Sequence, residues 1–248
     1  VDAGTVSRQR CRLALVNNAA MPHHLNLAQW PRRSAFEFFR GFAQPHFSIC
    51  TRIDVTALKP ALAQVKAQTG LGSVTLACHF IALQWANRIE PFRYRLQQGR
   101  VQVLDAVHGS TTVLRADDSF GFAYLQHAAD FVRFAAQGAP AIAAARQGHD
   151  GFAPRVDDNA LVHFTTLPWM HFTSFTHARD HGFEDSIPKM AFGRIDADGS
   201  GAGARQWMPL SVEVHHALMD GLHAGRFIQG FEAAMREPLV WLQGTPPA

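Results

Sequence analysis

Cysteine is scarce: only Cys11, Cys50 and Cys78 occur in 248 residues. They are odd in number, widely spaced and free of any CxxC pattern, which argues against a disulfide scaffold and a thiolate zinc site and fits a reducing, cytoplasmic compartment. An excess of one charge is also lacking, since 23 Lys and Arg face 20 Asp and Glu for a formal charge of +3. With the basic residues scattered, so slight a field gives no reason to expect a nucleic-acid partner. No apolar run approaches the roughly 20 residues needed to cross a bilayer. The start, VDAGTVSRQRCRLALVNNAA, has only the short patch ALV behind its basic residues and makes a poor signal peptide. No membrane partner is expected, and no internal repeat is found. Histidine is plentiful at 14, yet there is no HExxH or comparable ligand spacing, and HH neighbours on a strand point to opposite faces. No metal is expected.

What is present is a chain of 47% hydrophobic residues, long enough for a substantial core in one domain. The first twenty residues lack sustained periodicity, and residues 1–23 are expected as an N-terminal extension, with the domain over 24–248. SAFEFFRGFA (34–43) has Phe at helical spacing and Ser34 as a possible N-cap, so a short helix is expected there. HFSICTRIDVT (46–56) alternates as a strand with one wet face. A helix should follow and stop at Gly70, then a longer, largely buried one over 73–90. Gln98-Gly99 marks a hairpin, and STTVLRA and FGFAYLQ read as strands. The alanine-rich stretch 128–150 reads as a helix interrupted around Gly138 to Pro140, followed by the polar loop GFAPRVDD. ALVHFTTLPWMHFTSFTHA reads as strands broken at Pro168. KMAFGRIDADGSGAGARQWMPLSVEVHH reads as a hairpin with its tip near 196–204. A last amphipathic helix begins at Asp220, and PLVWLQGTPPA is a tail. Helices and strands mix without regular alternation, which predicts a helix-covered mixed sheet.

The stretch PLSVEVHHALMDGLHAGRF (209–227) raises a chemical question, because His215, His216 and Asp220 fall where a strand ends and a helix starts. Asp220 can simply cap the helix, with both histidines as strand-end side chains. Alternatively one histidine is a general base presented to a substrate hydroxyl. Spacing alone leaves both open.

VHHALMDGLHAGRF resembles the active-site signature of the chloramphenicol acetyltransferase family, within the CoA-dependent acyltransferases. QWPRRSAFEFFR, FSICTRIDVTALK, GRVQVLDAVH, LPWMHFTSF and WMPLSVEVHHALMDG resemble further family segments in the same order, over roughly 24–236. The resemblance implies an α/β fold, a chloramphenicol acetyltransferase-like two-layer sandwich with a mixed β-sheet covered by helices. It implies acetyl-CoA as co-substrate, a small-molecule hydroxyl acceptor and a homotrimer with sites between subunits.

Carried over by position, His216 becomes the general base, its ring oriented by its own backbone carbonyl, and Ser174 the donor to the tetrahedral oxyanion. Asp220 and Arg32 pair as a buried support for the site, while Trp169 and Phe172 become core residues beside it. Phe39, Phe47 and Lys189 fall on the acceptor side. Phe39 stands where the family offers a tyrosine hydroxyl, Ala43 and Pro45 replace other pocket residues, and Lys189 lies near a family threonine, with a surface charge, a coenzyme-phosphate contact and a part in a different acceptor site all open to it. The acceptor pocket is therefore expected to differ, with an acceptor other than chloramphenicol that could carry an anionic group. Two other readings stand beside this one: a non-catalytic binding or scaffold protein that keeps the fold, and the acyltransferase domain of a dehydrogenase complex. The second is disfavoured because no lipoyl-attachment segment precedes the domain.

Overall fold

The computed structural model describes residues 23–148, 158–180, 184–201 and 203–244. The stretch 1–22 and residues 151–157 of the loop GFAPRVDD lie outside them. In chain order come β1 (His23–His24), α1 (Arg33–Phe39), β2 (His46–Asp54), α2 (Leu58–Thr69), α3 (Val74–Arg88), β3 (Tyr94–Gln97), β4 (Arg100–Val103), β5 (His108–Leu114) and β6 (Phe120–Leu125). Then follow α4 (Phe131–Gln147), β7 (Leu161–Thr166), β8 (Lys189–Phe192), β9 (Asp196–Asp198), β10 (Arg205–His215), α5 (Gly221–Arg236) and α6 (Pro238–Leu242).

The main sheet runs β2-β10-β8-β7-β5-β6, with β9 on β10. β7 is parallel to β5 and β8, and the other pairs are antiparallel. A smaller sheet, β1-β4-β3, stands apart. α3, α4 and α5 pack on the main sheet and α3 touches both other helices, which makes the architecture a helix layer over a mixed sheet. α3 lies deepest, with ten of its fifteen residues buried, because it is apolar on most sides and finds neighbours on most sides. Ser73 caps it by accepting from the Leu76 N–H at 3.3 Å. Gly70 ends α2 in the left-handed region at φ 75°. Gln98 and Gly99 turn the β3–β4 hairpin with φ of 50° and 71°, the pair of positive values a two-residue hairpin favours.

β10 is the strand that matters most for function. Met208, Leu210, Val212 and Val214 point into the apolar core, and the alternating Ser211, Glu213 and His215 are buried on the opposite face. That second face is covered by residues 171–180, which cross it without joining a ladder.

Several expectations need correction. His23, assigned above to the extension, pairs with Val103 in β1. Ser34 is not a cap, because α1 starts at Arg33 and has no side-chain cap. α4 runs unbroken through Pro140. Pro140 and Ala136, whose carbonyl loses its bond, both lie on the exposed face where water can serve. Gly138 instead permits close approach, since a Cβ there would come within 2.8 Å of the Leu76 side chain. HFTSFTHA is not a strand: side chains rather than a ladder bond its Phe175 O, His177 N–H and Ala178 O. Trp169, expected in the core, is 54% exposed; the turn closed by Met170 N–H to Leu167 O at 3.3 Å carries it outward. The expected tail contains α6, which buries Trp241 and Leu242.

Arg95 was not singled out by sequence, yet it is fully buried and its guanidinium donates to the carbonyls of Phe92, Tyr94, Asn159 and Leu161. Burial pushes its pKa down to about 9 despite the favourable field of Asp185. It fastens the small sheet to the start of β7. Arg95→Met keeps much of the volume and strips the donors, and buried acceptors left unpaired cost about 1–3 kcal/mol each. A loss of about 3 kcal/mol or more should lower Tm by roughly 6–12 °C in a domain of this size, which a thermal melt would read; an unchanged Tm would show that the carbonyls find other donors.

Candidate active site

The histidine pair is placed by a ladder. β10 pairs antiparallel with β2 from Trp207–Asp54 to His215–His46, and the His216 N–H then donates to Pro45 O at 2.7 Å as one more rung. Beyond it the chain turns: the Leu218 and Met219 N–H groups donate to His215 O at 3.0 and 3.1 Å, and α5 begins at Asp220. Asp220 Oδ1 accepts from the Leu222 N–H at 3.1 Å, and His223 Nδ1 accepts from the Asp220 N–H at 3.2 Å. The helix start is thus capped from both sides.

Arg32, just ahead of α1, spans the same turn. Its Nε donates to Asp220 Oδ2 at 3.1 Å, and Nη1 and Nη2 donate to Ala217 O and His216 O, each at 3.3 Å. The Asp220 carboxyl lies below its ordinary pKa: burial opposes this, but His223, Arg32 and the Leu222 N–H outweigh it. The Asp220 side chain is 39% exposed against 15% for Arg32, which corrects the buried pair expected above. Solvent screens such a carboxylate, so the pair contributes less than a buried one.

The two histidines lie in different surroundings. His215 is 5% exposed, meets the His46 ring edge-on at 4.9 Å and accepts the Ala217 N–H on Nδ1 at 3.2 Å. Burial, aided by His46 and Arg179, pushes it down to about 3, so it stays neutral. His216 is half-buried, its ring stacked on Phe39 at 3.8 Å and 8° between planes, with Phe47 tilted against it at 4.8 Å. Its Nδ1 is buried with no hydrogen-bond partner among the described residues. The bond from ring to own carbonyl is therefore not found. That carbonyl faces Arg32 instead, and aromatic contact holds the ring.

Ser174 is exposed, and its hydroxyl makes no hydrogen bond among the described residues. Its segment is anchored next door, where Phe175 O accepts from Ser48 Oγ at 3.1 Å and Ser211 Oγ at 3.3 Å. Phe172 is half-buried and packs on Phe175 at 5.4 Å. Lys189 is not a free cation. Its Nζ donates to Ala178 O at 2.7 Å and Asp185 Oδ2 at 3.1 Å, with the side chain 12% exposed. Burial and neighbouring Arg179 lower its pKa against the pull of Asp185.

Sequence reasoning missed the group to which Lys189 belongs. Arg179 donates through Nε to Glu213 Oε1 at 2.6 Å and through Nη1 to Asp185 Oδ1 at 3.1 Å. The one available signal was a glutamate within the apolar alternation of β10. Glu213 is pushed down to about 2, since bonds from His177 and the Arg179 cation overcome its burial. Ala43 and Pro45 line a cavity of about 320 Å³ beside His215. A groove of about 720 Å³ runs between Thr111–Leu114, Phe120, Arg146 and Trp169.

A solved structure described as chloramphenicol acetyltransferase has a TM-score of 0.74 to this chain at 25% identity, covering 87% of this chain and 100% of its own. A dihydrolipoamide acetyltransferase structure from Azotobacter vinelandii shares the fold at a TM-score of 0.62 and 16% identity, over 95% of this chain and 98% of that one. The fold is thus one used by acyltransferases. The chain belongs to the chloramphenicol acetyltransferase family, whose model matches residues 22–232, and is an acyltransferase of that type. Chloramphenicol acetyltransferase of Streptomyces acrimycini is 28% identical over 89% of this chain and 97% of its own length. Chloramphenicol acetyltransferase 2 of Escherichia coli is 29% identical over 82% and 92%.

The cap and the charge pair at Asp220 are separable. Asp220→Asn keeps an acceptor for the Leu222 N–H, whereas Asp220→Ala removes it along with the charge. The alanine variant should therefore be less stable than the asparagine variant by about 1 kcal/mol, the usual worth of a cap, in urea midpoints; equal midpoints would leave the pair with Arg32 as the only contribution.

Proposed function

We propose that the protein is an acetyl-CoA-dependent O-acetyltransferase with His216 as general base. The observation that carries this reading is the seat of the ring: ladder, Arg32 clamp and aromatic stack fix its position, and enclosure of Nδ1 leaves Nε2 for proton transfer. A hydroxyl attacks a thioester poorly while it keeps its proton. Nε2 takes that proton as the oxygen bonds to the acetyl carbon, and the tetrahedral oxyanion forms. As the C–S bond breaks, the imidazolium returns the proton to the thiolate of coenzyme A. Both substrates meet in one ternary complex and no acyl-enzyme forms. The unengaged hydroxyl of Ser174 is assigned to the oxyanion, to which it would donate without giving up another bond.

The acceptor is proposed to be a small hydroxyl compound that chloramphenicol represents poorly. Phe39 supplies no hydroxyl, and its ring face is already used on His216. Lys189 is bound to Asp185 and Ala178 and so does not itself favour an anionic acceptor, and a neutral one is proposed. The assembly proposed is a homotrimer, for which the exposed Leu114, Phe120, Phe122 and Trp169 offer an apolar contact face.

Release of coenzyme A from acetyl-CoA, measured over a panel of alcohols with chloramphenicol included, tests the reading. His216→Ala should lose about 10²–10⁴-fold in kcat and Ser174→Ala about 10²–10³-fold, both folded, with His215→Ala milder. Equal losses from the two histidines would reject the assignment. For the acceptor, kcat/KM for chloramphenicol should lie far below the ceiling of about 10⁸ M⁻¹s⁻¹. Phe39→Tyr should raise it by roughly tenfold or more, as a restored hydrogen bond to a buried polar group does. A wild-type value near the ceiling would remove the altered-pocket argument.

A further inference from the structure

Residues 171–180 carry Ser174 across β10 without a ladder, and a carboxylate takes the ladder's place. The His177 N–H donates to Glu213 Oε2 at 2.9 Å, and Arg179 Nε to Glu213 Oε1 at 2.6 Å. Both side chains of the Arg179–Glu213 pair are 4% exposed. Around it the charges balance: Arg179 and Lys189 face Glu213 and Asp185. Arg179 Nη1 also reaches Ile187 O at 2.7 Å, and Lys189 reaches Ala178 O, so the same group ties the crossing segment to the approach to β8. In the sheet, Glu213 sits between Ser48 of β2 and Lys189 of β8, three residues before His216.

We infer that Glu213 is a positioning residue that fixes the segment carrying Ser174 against β10. Taking a carboxylate out of water is costly, and a well-packed apolar residue at such a site commonly gives equal or greater stability. What an apolar residue cannot do is accept two donors, a backbone N–H and a guanidinium, from a segment that has no strand partner. One strand then sets both groups, His216 by its own backbone and Ser174 through the Glu213 carboxylate. The inference rests on the assignment of Ser174 to the oxyanion, and the test separates the two.

Glu213→Gln, Ser174→Ala and their combination are compared in steady-state kinetics, with deuterium exchange of the 171–180 backbone measured alongside. In Glu213→Gln the amides of this segment should exchange about tenfold faster or more while those of β7 are unchanged, as in local opening. Its kcat should fall about tenfold or more with KM for acetyl-CoA unchanged, as for a contact that counts mainly in the transition state. The double variant should be no slower than Ser174→Ala within about twofold, because residues acting through one another are not additive. Unchanged exchange, or losses that multiply in the double variant, would overturn the role of Glu213. Faster exchange with a silent Ser174→Ala would support the hold and remove the oxyanion assignment instead. If Glu213→Gln fails to fold, Arg179→Lys, which keeps a cation beside Asp185 but loses the Nε bond, should give the same exchange pattern.

Discussion

The antiparallel ladder between β2 and β10 is the constraint on which the rest depends. Its nine residue pairs end at His215–His46, and the His216 N–H adds a last bond to Pro45 O. A ladder fixes which face each residue occupies, and a slip of one residue would exchange the faces. Apolar residues on one side of β10 and a polar, buried set on the other make such a slip expensive in both directions. The His216 ring is therefore placed by the packing of a whole strand, with Arg32 clasping the turn that follows.

That arrangement explains how two adjacent histidines come to differ. Neighbours on a strand point to opposite faces. His215 turns toward His46 and Arg179, spends Nδ1 on the turn and is held neutral by burial. His216 turns toward Phe39 and Phe47 and spends no ring nitrogen on any described residue. The first histidine is thus engaged through Nδ1 and held neutral by burial, whereas neither ring nitrogen of the second bonds a described residue.

How far the sequence revealed this depended on whether a feature is local or made by distant segments. The alternation of β2, the buried character of α3, the Gln98-Gly99 turn and the cap at Asp220 are written in neighbouring residues and could be read directly. The family pattern pointed to Arg32 as partner of Asp220, although 188 positions separate them and no local signal links them. The stack of Phe39 on His216 and the group of Arg179, Asp185, Lys189 and Glu213 join four or more segments that only folding brings together. Lys189 read as a charge for an acceptor because its counter-charge lies in the approach to its own strand, a placement periodicity does not disclose. Pro140 misled for the opposite reason. Its local rule is sound, but the exposed face of α4 lets water take up the carbonyl that the rule counts as lost.

The two faces at the end of β10 also divide the chemistry. Ionised groups gather beneath residues 171–180, where two cations meet two carboxylates and each charge has its partner within the group. Around His216 the contacts are aromatic. A site built this way offers little to an ion and favours apolar surface beside a single polar reacting atom. The acyl transfer proposed above, from a thioester to a neutral hydroxyl, has that character: its charge would develop at the oxyanion and at the ring assigned to take the proton. The Arg32–Asp220 pair stands behind the turn that follows His216, while the larger charged group lies on the other side of the strand, where it holds the segment that carries Ser174.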